Sequence, residues 1–495
     1  MTTVYNPADG SVAAEVADFD ATQVEEVAAR LRAAQVDWER IGPKGRAEWM
    51  GRYRDWLLDH AQELADQLQQ EAGKIRSEAH IELALALQVL NYYRENAARF
   101  LRTEHPGPHG LAGVVKRQWV HHRPQPLIGV ITPWNFPVAL ALWDALPALM
   151  AGCAVIVKPS EITPLATRFV IEGWKEIGAP AIFECVTGGA ESGQAVVDTV
   201  DLIQFTGSTR TGRRIAEQAA RRLIPCELEL GGKDAAVVLA DANVDQAVNA
   251  ITWGALFNSG QTCVSVERVY VEAPVYDEFL AKLVAKVGEL RDAGQGDIGA
   301  MATEAQLNLV ADQVADAEAK GARILCGGKQ VGQPGLYFQP TVLSQVDHTM
   351  TCMTEETFGP LIPVMRVSDV DDAVARVNDS RYGLSAAIFS GSARRARKLA
   401  QRLEVGAVNV NDVILNLLAF SVPHGGWKES GIGSRSGGAH GILKYCRKQA
   451  IVDNLLPAPL PLMRMPYQWL QIDLLPRLYR TLGARGILRR LRAFR

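Results

Sequence analysis

The chain has 495 residues, 48% hydrophobic and 22% charged, with a formal net charge of −3. That length exceeds one ordinary core and points to two or more domains, and the small net charge gives no overall attraction to nucleic acid. Seven cysteines, scattered from Cys153 to Cys446 without metal-ligand spacing, favour free thiols in a reducing compartment over a disulfide framework.

Residues from about Asp20 to Arg102 carry apolar positions at helical spacing, as in "ATQVEEVAARLRAAQVDWERI". "GPHGLAGVVKRQWVHHRPQ" then reads as a glycine-bounded hairpin. From Leu127 the texture changes: the short apolar runs "LIGVIT", "CAVIVK", "LIQFTG", "AAVVLA" and "ERVYVE" alternate with helical segments such as "TGRRIAEQAARRL" and "VDQAVNAITWGALF". The alternation resumes beyond Cys263 with "ILCGG", "LIPVMRV", "LSAAIFS" and "VGAVNVND". It predicts parallel sheets with helices on both faces, in two α/β domains that meet near Glu229 to Lys233. Ligands of such folds bind beyond the C-terminal ends of strands, so chemistry is sought there. The end of the chain, from "LLPAPLPLMRMPYQWL" onward, is proline-interrupted and then basic and amphipathic. The N-terminus lacks a basic region followed by an apolar core, and no apolar run approaches the roughly 20 residues that cross a bilayer. A cytoplasmic protein is expected.

Several strand ends carry candidate chemistry. In "FNSGQTCVSVERVYV" Cys263 stands between a glycine-bearing turn and a strand, either as a buried core thiol or as a nucleophile at the mouth of a cleft. "CELELGGK" ends an apolar run with Glu229, a surface carboxylate or, in a partly dry cleft, a general base with a raised pKa. "ITPWNFP" sets Asn135 between Trp134 and Phe136, as a buried turn-former or an oxyanion donor. "FTGSTRTG" opens a helix where Gly207, Ser208 and Thr209 either cap it or meet an anion. Gly207 and Gly212 have P-loop spacing, but Arg213–Arg214 stands where Lys-Ser/Thr is required. "VIVKPSEITP" ends a strand with Lys158 and Glu161, a solvated ion pair or a ribose-binding pair that repels a 2'-phosphate. HExxH is absent and the nine histidines are dispersed except His121–His122, so no catalytic metal is expected.

"ITPWNFP", "VKPSEITP", "FTGSTRTG", "LELGGK", "FNSGQTCVSVER", "EETFGP" and "HGGWKESGIG" appear in the order found in the aldehyde dehydrogenase superfamily, which the chain resembles from roughly Asn6 to Asp453. The resemblance implies an α/β fold with a Rossmann-type NAD(P)-binding domain (1–104 and 126–231) and a second α/β, catalytic domain (232–443). It also implies an oligomerisation hairpin and strand (105–125 and 444–455), followed by a basic tail (456–495). It assigns Cys263 as nucleophile, Asn135 and the Cys263 backbone N–H as oxyanion donors, and Glu229 as the base that activates water. For the cofactor, NAD with NADP possible, it points to Ile131, Thr132, Pro133, Trp134, Lys158, Ser160, Glu161, Gly207, Ser208, Gly212, Leu230, Glu356 and Phe358. After "KESGIG" relatives often continue Arg-Glu; Ser434-Arg435 here removes a proton-relay glutamate. "SRSGGAHGILKYCRKQ" is similar to an actinobacterial subgroup often described as succinate-semialdehyde dehydrogenases.

The matching substrate positions, Phe136, Ala139, Trp143, Phe257, Leu417, Leu418 and Phe420, are apolar and suit an apolar or aromatic aldehyde. Succinate semialdehyde would need a cation, for which Arg435 is the candidate, so both substrates stay open. Rival readings are a cofactor-independent cysteine esterase, a non-enzymatic scaffold, and acylating transfer to coenzyme A. The resemblance further implies a homodimer or homotetramer. The tail, with Tyr467, Trp469, Leu470, Leu474 and Leu475 before seven arginines from Arg477 to Arg495, either packs on protein or lies on anionic lipid.

Overall fold

The computed structural model describes residues 1–109, 113, 116–291, 296–332, 334–455, 465–467 and 469–491. The chain divides into two compact units, Met1–Leu101 with Arg123–Arg447, and Arg102–His122 with Lys448–Arg495.

The first unit holds two sheets. One has six strands in the order Gly431–Ile432, Cys226–Glu229, Leu202–Thr206, Leu127–Ile131, Ala154–Lys158 and Phe183–Cys185. All pair in parallel except Gly431–Ile432, which runs antiparallel to Cys226–Glu229. The three strands Leu127–Ile131, Ala154–Lys158 and Leu202–Thr206 are buried at every residue, so they read as continuous apolar runs rather than alternating ones. Strand order reverses between Leu127–Ile131 and Leu202–Thr206, and that switch point opens a crevice beyond Ile131 and Thr206.

The second sheet has seven strands, in the order Arg323–Cys326, Thr341–Ser344, Leu361–Val367, Val266–Glu272, Asp234–Val238, Ser385–Phe389 and Ala407–Val410, with only the first antiparallel to its neighbour. The chain passes from one sheet to the other between Glu229 and Asp234. Phe183–Cys185 and Thr341–Ser344 were not anticipated as strands, and neither was the N-terminal pair Thr2–Tyr5 and Val12–Val16. Each is short, and three to five residues carry too little periodicity to read.

The N-terminal region is helical as expected. Ala21–Arg40 starts at a capping box between Asp20 and Gln23, and Arg76–Phe100 packs against Pro137–Ala151, a helix buried at all 15 residues. Among the described residues no helix is long and apolar enough to cross a membrane.

In the second unit, Lys116–Pro124 pairs with Cys446–Asn454 in a two-stranded sheet. The expected glycine-bounded hairpin therefore takes its main partner from far along the chain, with one bridge, Glu104 to Val120, linking it to the preceding segment. Residues 110–112, 114 and 115 of that hairpin, 456–464 of the tail, and Arg492 and Arg495 lie outside the described residues. The described tail forms Leu475–Gly483 and Ile487–Leu491, which leave Tyr479, Leu482, Ile487 and Leu488 exposed.

Candidate active site

Cys263 lies between the turn Phe257–Gly260 and the strand Val266–Glu272. Asn258 and Ser259 both take left-handed backbone conformations, with φ of 54° and 56°, a strain that persists only because the surroundings hold it. Asn258 N–H donates to Glu78 at 2.8 Å, Ser259 Oγ to the Gly299 carbonyl at 2.9 Å, and Gln261 Oε1 accepts from Ala302 N–H at 2.9 Å. The glycine of this turn, Gly260, does not open onto a cavity. Its neighbour is instead the Gly359 carbonyl oxygen, which a Cβ would meet at 2.1 Å. The glycine serves the packing of the turn on the 359 loop.

Asn135 sits 3% exposed at the entry to the buried helix Pro137–Ala151. Its Nδ2 donates to the Gln261 carbonyl at 2.9 Å, which fixes the orientation of the amide and leaves its second N–H free. A buried ionic group holds Asn135 and Asn258. Lys74 Nζ donates to the Asn135 carbonyl and to Asn258 Oδ1, each at 2.7 Å, and lies 3.5 Å from Glu82. Glu82 accepts from the N–H groups of Val138 and Ala139, satisfying orphan donors of the helix start. Lys74, Glu78 and Glu82 were missed in the sequence. Their spacing of four was the signal.

Three cavities converge on these groups. An apolar tunnel of about 290 Å³ is lined by Phe136, Ala139, Trp143, Trp253, Phe257 and Leu418, among others, and reaches Cys263. A cavity of about 200 Å³ on the other side holds Asn135, Leu230, Gly231, Cys263, Glu356 and Phe358. Cys263 is thus shared by both. The third, about 790 Å³, occupies the switch-point crevice and is lined by Ile131, Thr132, Pro133, Trp134, Lys158, Ser160, Glu161, Gly207, Ser208 and Arg214. Trp134, Gly207 and Ser208 border both of the last two cavities.

Three sequence candidates, Gly212, Phe420 and Glu229, stand apart from these linings. Gly212 lies in the helix Thr209–Arg222 against Leu230, whose Cδ2 a Cβ would meet at 2.5 Å. Phe420 stands behind the tunnel wall, 6.3 Å from the Trp143 ring and 5.6 Å from Tyr92. Ser208 caps its helix by accepting from Thr211 N–H and also borders the crevice. Glu161 is half exposed and 3.3 Å from Lys158 Nζ. Phe358, at φ 51°, faces Trp134 edge-on at 5.4 Å.

Burial raises three pKa values here. The Cys263 thiol is pushed up to about 12, with the Arg435 charge the largest opposing influence. Glu229, 4% exposed, is raised to about 7 by desolvation, against the pull of Arg435 and Lys444. Glu356 is raised to about 8 by burial and by Glu267, and accepts a hydrogen bond from Gly232 N–H at 3.0 Å. Arg435 lines the tunnel, but its Nε and Nη2 fork onto Asp144 at 3.0 and 2.9 Å, and Nη2 also reaches Thr206. Asp144, the one charge in "PVALALWDALPALMA", was not singled out in the sequence.

The aldehyde dehydrogenase family model matches residues 1–451. The chain is 40% identical over 469 residues to a Mycobacterium ulcerans protein named "Putative succinate-semialdehyde dehydrogenase (NADP(+)) 2", covering 92% of this chain and 89% of that one. It is 37% identical over 452 residues to 4,4'-diapolycopene aldehyde oxidase of Methylomonas sp, covering 90% and 84%. The crystal structure of an aldehyde dehydrogenase from Brucella melitensis biovar abortus superposes with a TM-score of 0.87 at 34% identity, covering 92% of this chain and 94% of that one. With one thiol shared between an apolar tunnel and a cavity that adjoins the switch-point crevice, and with likeness along almost its whole length, the chain belongs to the aldehyde dehydrogenase family.

Proposed function

We propose that the chain oxidises an apolar or aromatic aldehyde to its carboxylic acid, with Cys263 as nucleophile, Asn135 as oxyanion donor and Glu229 as general base. The observation that carries the substrate class is the tunnel wall. Among the described residues its one cation, Arg435, already has its charge paired with Asp144, so a second carboxylate entering there would be desolvated with no uncompensated positive charge to meet it. The name of the mycobacterial relative favours succinate semialdehyde as the second reading. Comparing kcat/KM for succinate semialdehyde and a medium-chain aldehyde decides between them. A preference of tenfold or more for the carboxylated substrate rejects the apolar reading.

Cys263 Sγ attacks the carbonyl carbon, its proton leaving to a nearby base. The C–S bond forms as the carbonyl electron pair moves to oxygen, where the free Asn135 N–H meets the developing charge. When bound, a nicotinamide dinucleotide supplies the two-electron acceptor that turns the adduct on Cys263 into an acyl thioester. Glu229 then takes a proton from water, whose oxygen bonds the acyl carbon as the C–S bond breaks and the thiolate leaves.

The crevice fits such a dinucleotide. Thr132 Oγ1 is buried there without a partner among the described residues, and in the adjoining cavity Gly231 keeps clear a space where a Cβ would lie 2.6 Å from Glu356. Lys158, Ser160 and Glu161 would hold the adenosine ribose, and Glu356 and Phe358 the nicotinamide half. Lys158 offsets the charge of Glu161, and Arg214 adds a cation to the same crevice, so NADP is accommodated as well as NAD. A dinucleotide crevice beside the thiol favours dehydrogenation over cofactor-free ester hydrolysis; reduced cofactor formed from an aldehyde, and lost in Cys263→Ala, tests this.

The strand Cys446–Asn454, exposed from Arg447 onward, supports a homodimer or a dimer of dimers, which light scattering checks. The exposed apolar residues of the tail, with Arg477, Arg480, Arg485, Arg489 and Arg490 among them, suit an anionic lipid surface or a partner subunit. Vesicle co-sedimentation of full-length and tail-truncated protein separates the two.

A further inference from the structure

Among the described residues the Glu229 carboxylate accepts no hydrogen bond, although it is the group on which thioester hydrolysis depends. His424 Nε2 stands 3.6 Å from Glu229 Oε2, and that nitrogen is itself buried without a partner. Two unmatched groups facing each other in a dry site are costly unless they meet.

The proton on His424 can be assigned from the chain of amides behind it. Asn416 N–H donates to Asn409 Oδ1 at 2.9 Å, which fixes that amide, and Asn409 Nδ2 donates back to Asn416 Oδ1 at 2.9 Å. The Asn416 amide nitrogen is left facing His424 Nδ1 at 3.0 Å. An amide nitrogen only donates, so Nδ1 is the acceptor and the proton of the neutral ring lies on Nε2, toward Glu229. Burial and the Arg435 charge hold the imidazole down at about 3, so it is an uncharged donor at neutral pH. The His424 carbonyl accepts from Arg435 N–H at 2.7 Å, which anchors this loop to the segment carrying the tunnel cation.

We propose that His424 is a positioning residue for the general base: its Nε2–H closes onto Glu229 Oε2 and leaves Oε1 to take the proton from the water that cleaves the acyl–Cys263 bond. The proposal rests on Glu229 acting as that base. A shift of about 0.5 Å brings the pair into ordinary hydrogen-bond range. The charged groups acting on Glu229 are Arg435 and Lys444, which favour the carboxylate, and Asp144 and Glu227, which oppose it; the Cys263 thiol, itself titratable, stays protonated. His424 is neutral among them, so replacing it alters a hydrogen bond and leaves the sum of charges unchanged.

The test uses His424→Phe, which keeps a ring without the donor, and His424→Gln, whose amide N–H falls near the position of Nε2. Cys263 is acylated with p-nitrophenyl acetate, which needs no dinucleotide, and decay of the acyl-enzyme is followed by intact mass across pH. Nitrophenolate release reports the acylation step. The expected result for His424→Phe is acylation within about twofold of wild type, deacylation slowed about tenfold, and an acid limb moved upward by about half a pH unit or more. His424→Gln should recover deacylation to within about threefold. Unchanged deacylation and pH limb in His424→Phe overturn the proposal, as does equal loss in both steps that Gln does not rescue. Glu229→Gln is measured alongside. If it deacylates at the wild-type rate, the base assignment itself falls; if it is slow while His424→Phe is not, only the role of His424 falls.

Discussion

Replacing Asp144 by Asn tests the claim that the tunnel rejects a carboxylate because its cation is already occupied. The side chain keeps its shape but loses the charge that Arg435 Nε and Nη2 engage, at 3.0 and 2.9 Å. Both partners are almost wholly buried, so the variant leaves a desolvated guanidinium without a counter-ion, which costs about 3–5 kcal/mol of stability. That guanidinium lines the tunnel and becomes free to meet an incoming anion. A hydrogen bond to a charged group is worth about 1.5–3 kcal/mol, which corresponds to roughly 10- to 100-fold in kcat/KM. Urea unfolding should show the loss of stability. The ratio of kcat/KM for succinate semialdehyde over hexanal should rise by at least about tenfold. Removing the Asp144 charge also removes a repulsion on Glu229, so the acid limb of kcat should move to lower pH. A variant as stable as wild type, with an unchanged substrate ratio, would refute the reasoning.

Glu229 must be ionised to accept a proton, and its pKa of about 7 places the acid limb there: kcat should fall about tenfold per pH unit below it, and Glu229→Gln should lose this limb. Asn135→Ala removes the free N–H while leaving the carbonyl that Lys74 holds. It should lower kcat by about 10²–10³-fold with unchanged circular dichroism. Glu161→Gln removes the charge that disfavours a 2'-phosphate and should raise the NADP-to-NAD ratio of kcat/KM by roughly three- to tenfold, since the residue is half exposed. Gly260→Ala sets a Cβ at 2.1 Å from the Gly359 carbonyl, at a φ of 72°, and should lower thermal stability and activity together.

The order of elements and the motifs at strand ends were legible in the sequence because they are local. A parallel strand buried on both faces must be a short apolar run, as in "LIGVI" and "AVIVK", and the residues just beyond such a run are the ones a crevice can use. Asn135 follows such a run and Glu229 ends one, whereas Cys263 stands just before the strand Val266–Glu272. What Lys74, Asp144, His424 and Arg435 do was decided only by tertiary structure. Each is a polar side chain in a low-dielectric interior, and its meaning depends on which partner from a distant segment satisfies it. Arg435 reads from sequence as a free cation for a substrate. The fold turns it toward Asp144, 291 positions away, and so the tunnel it lines can favour apolar aldehydes.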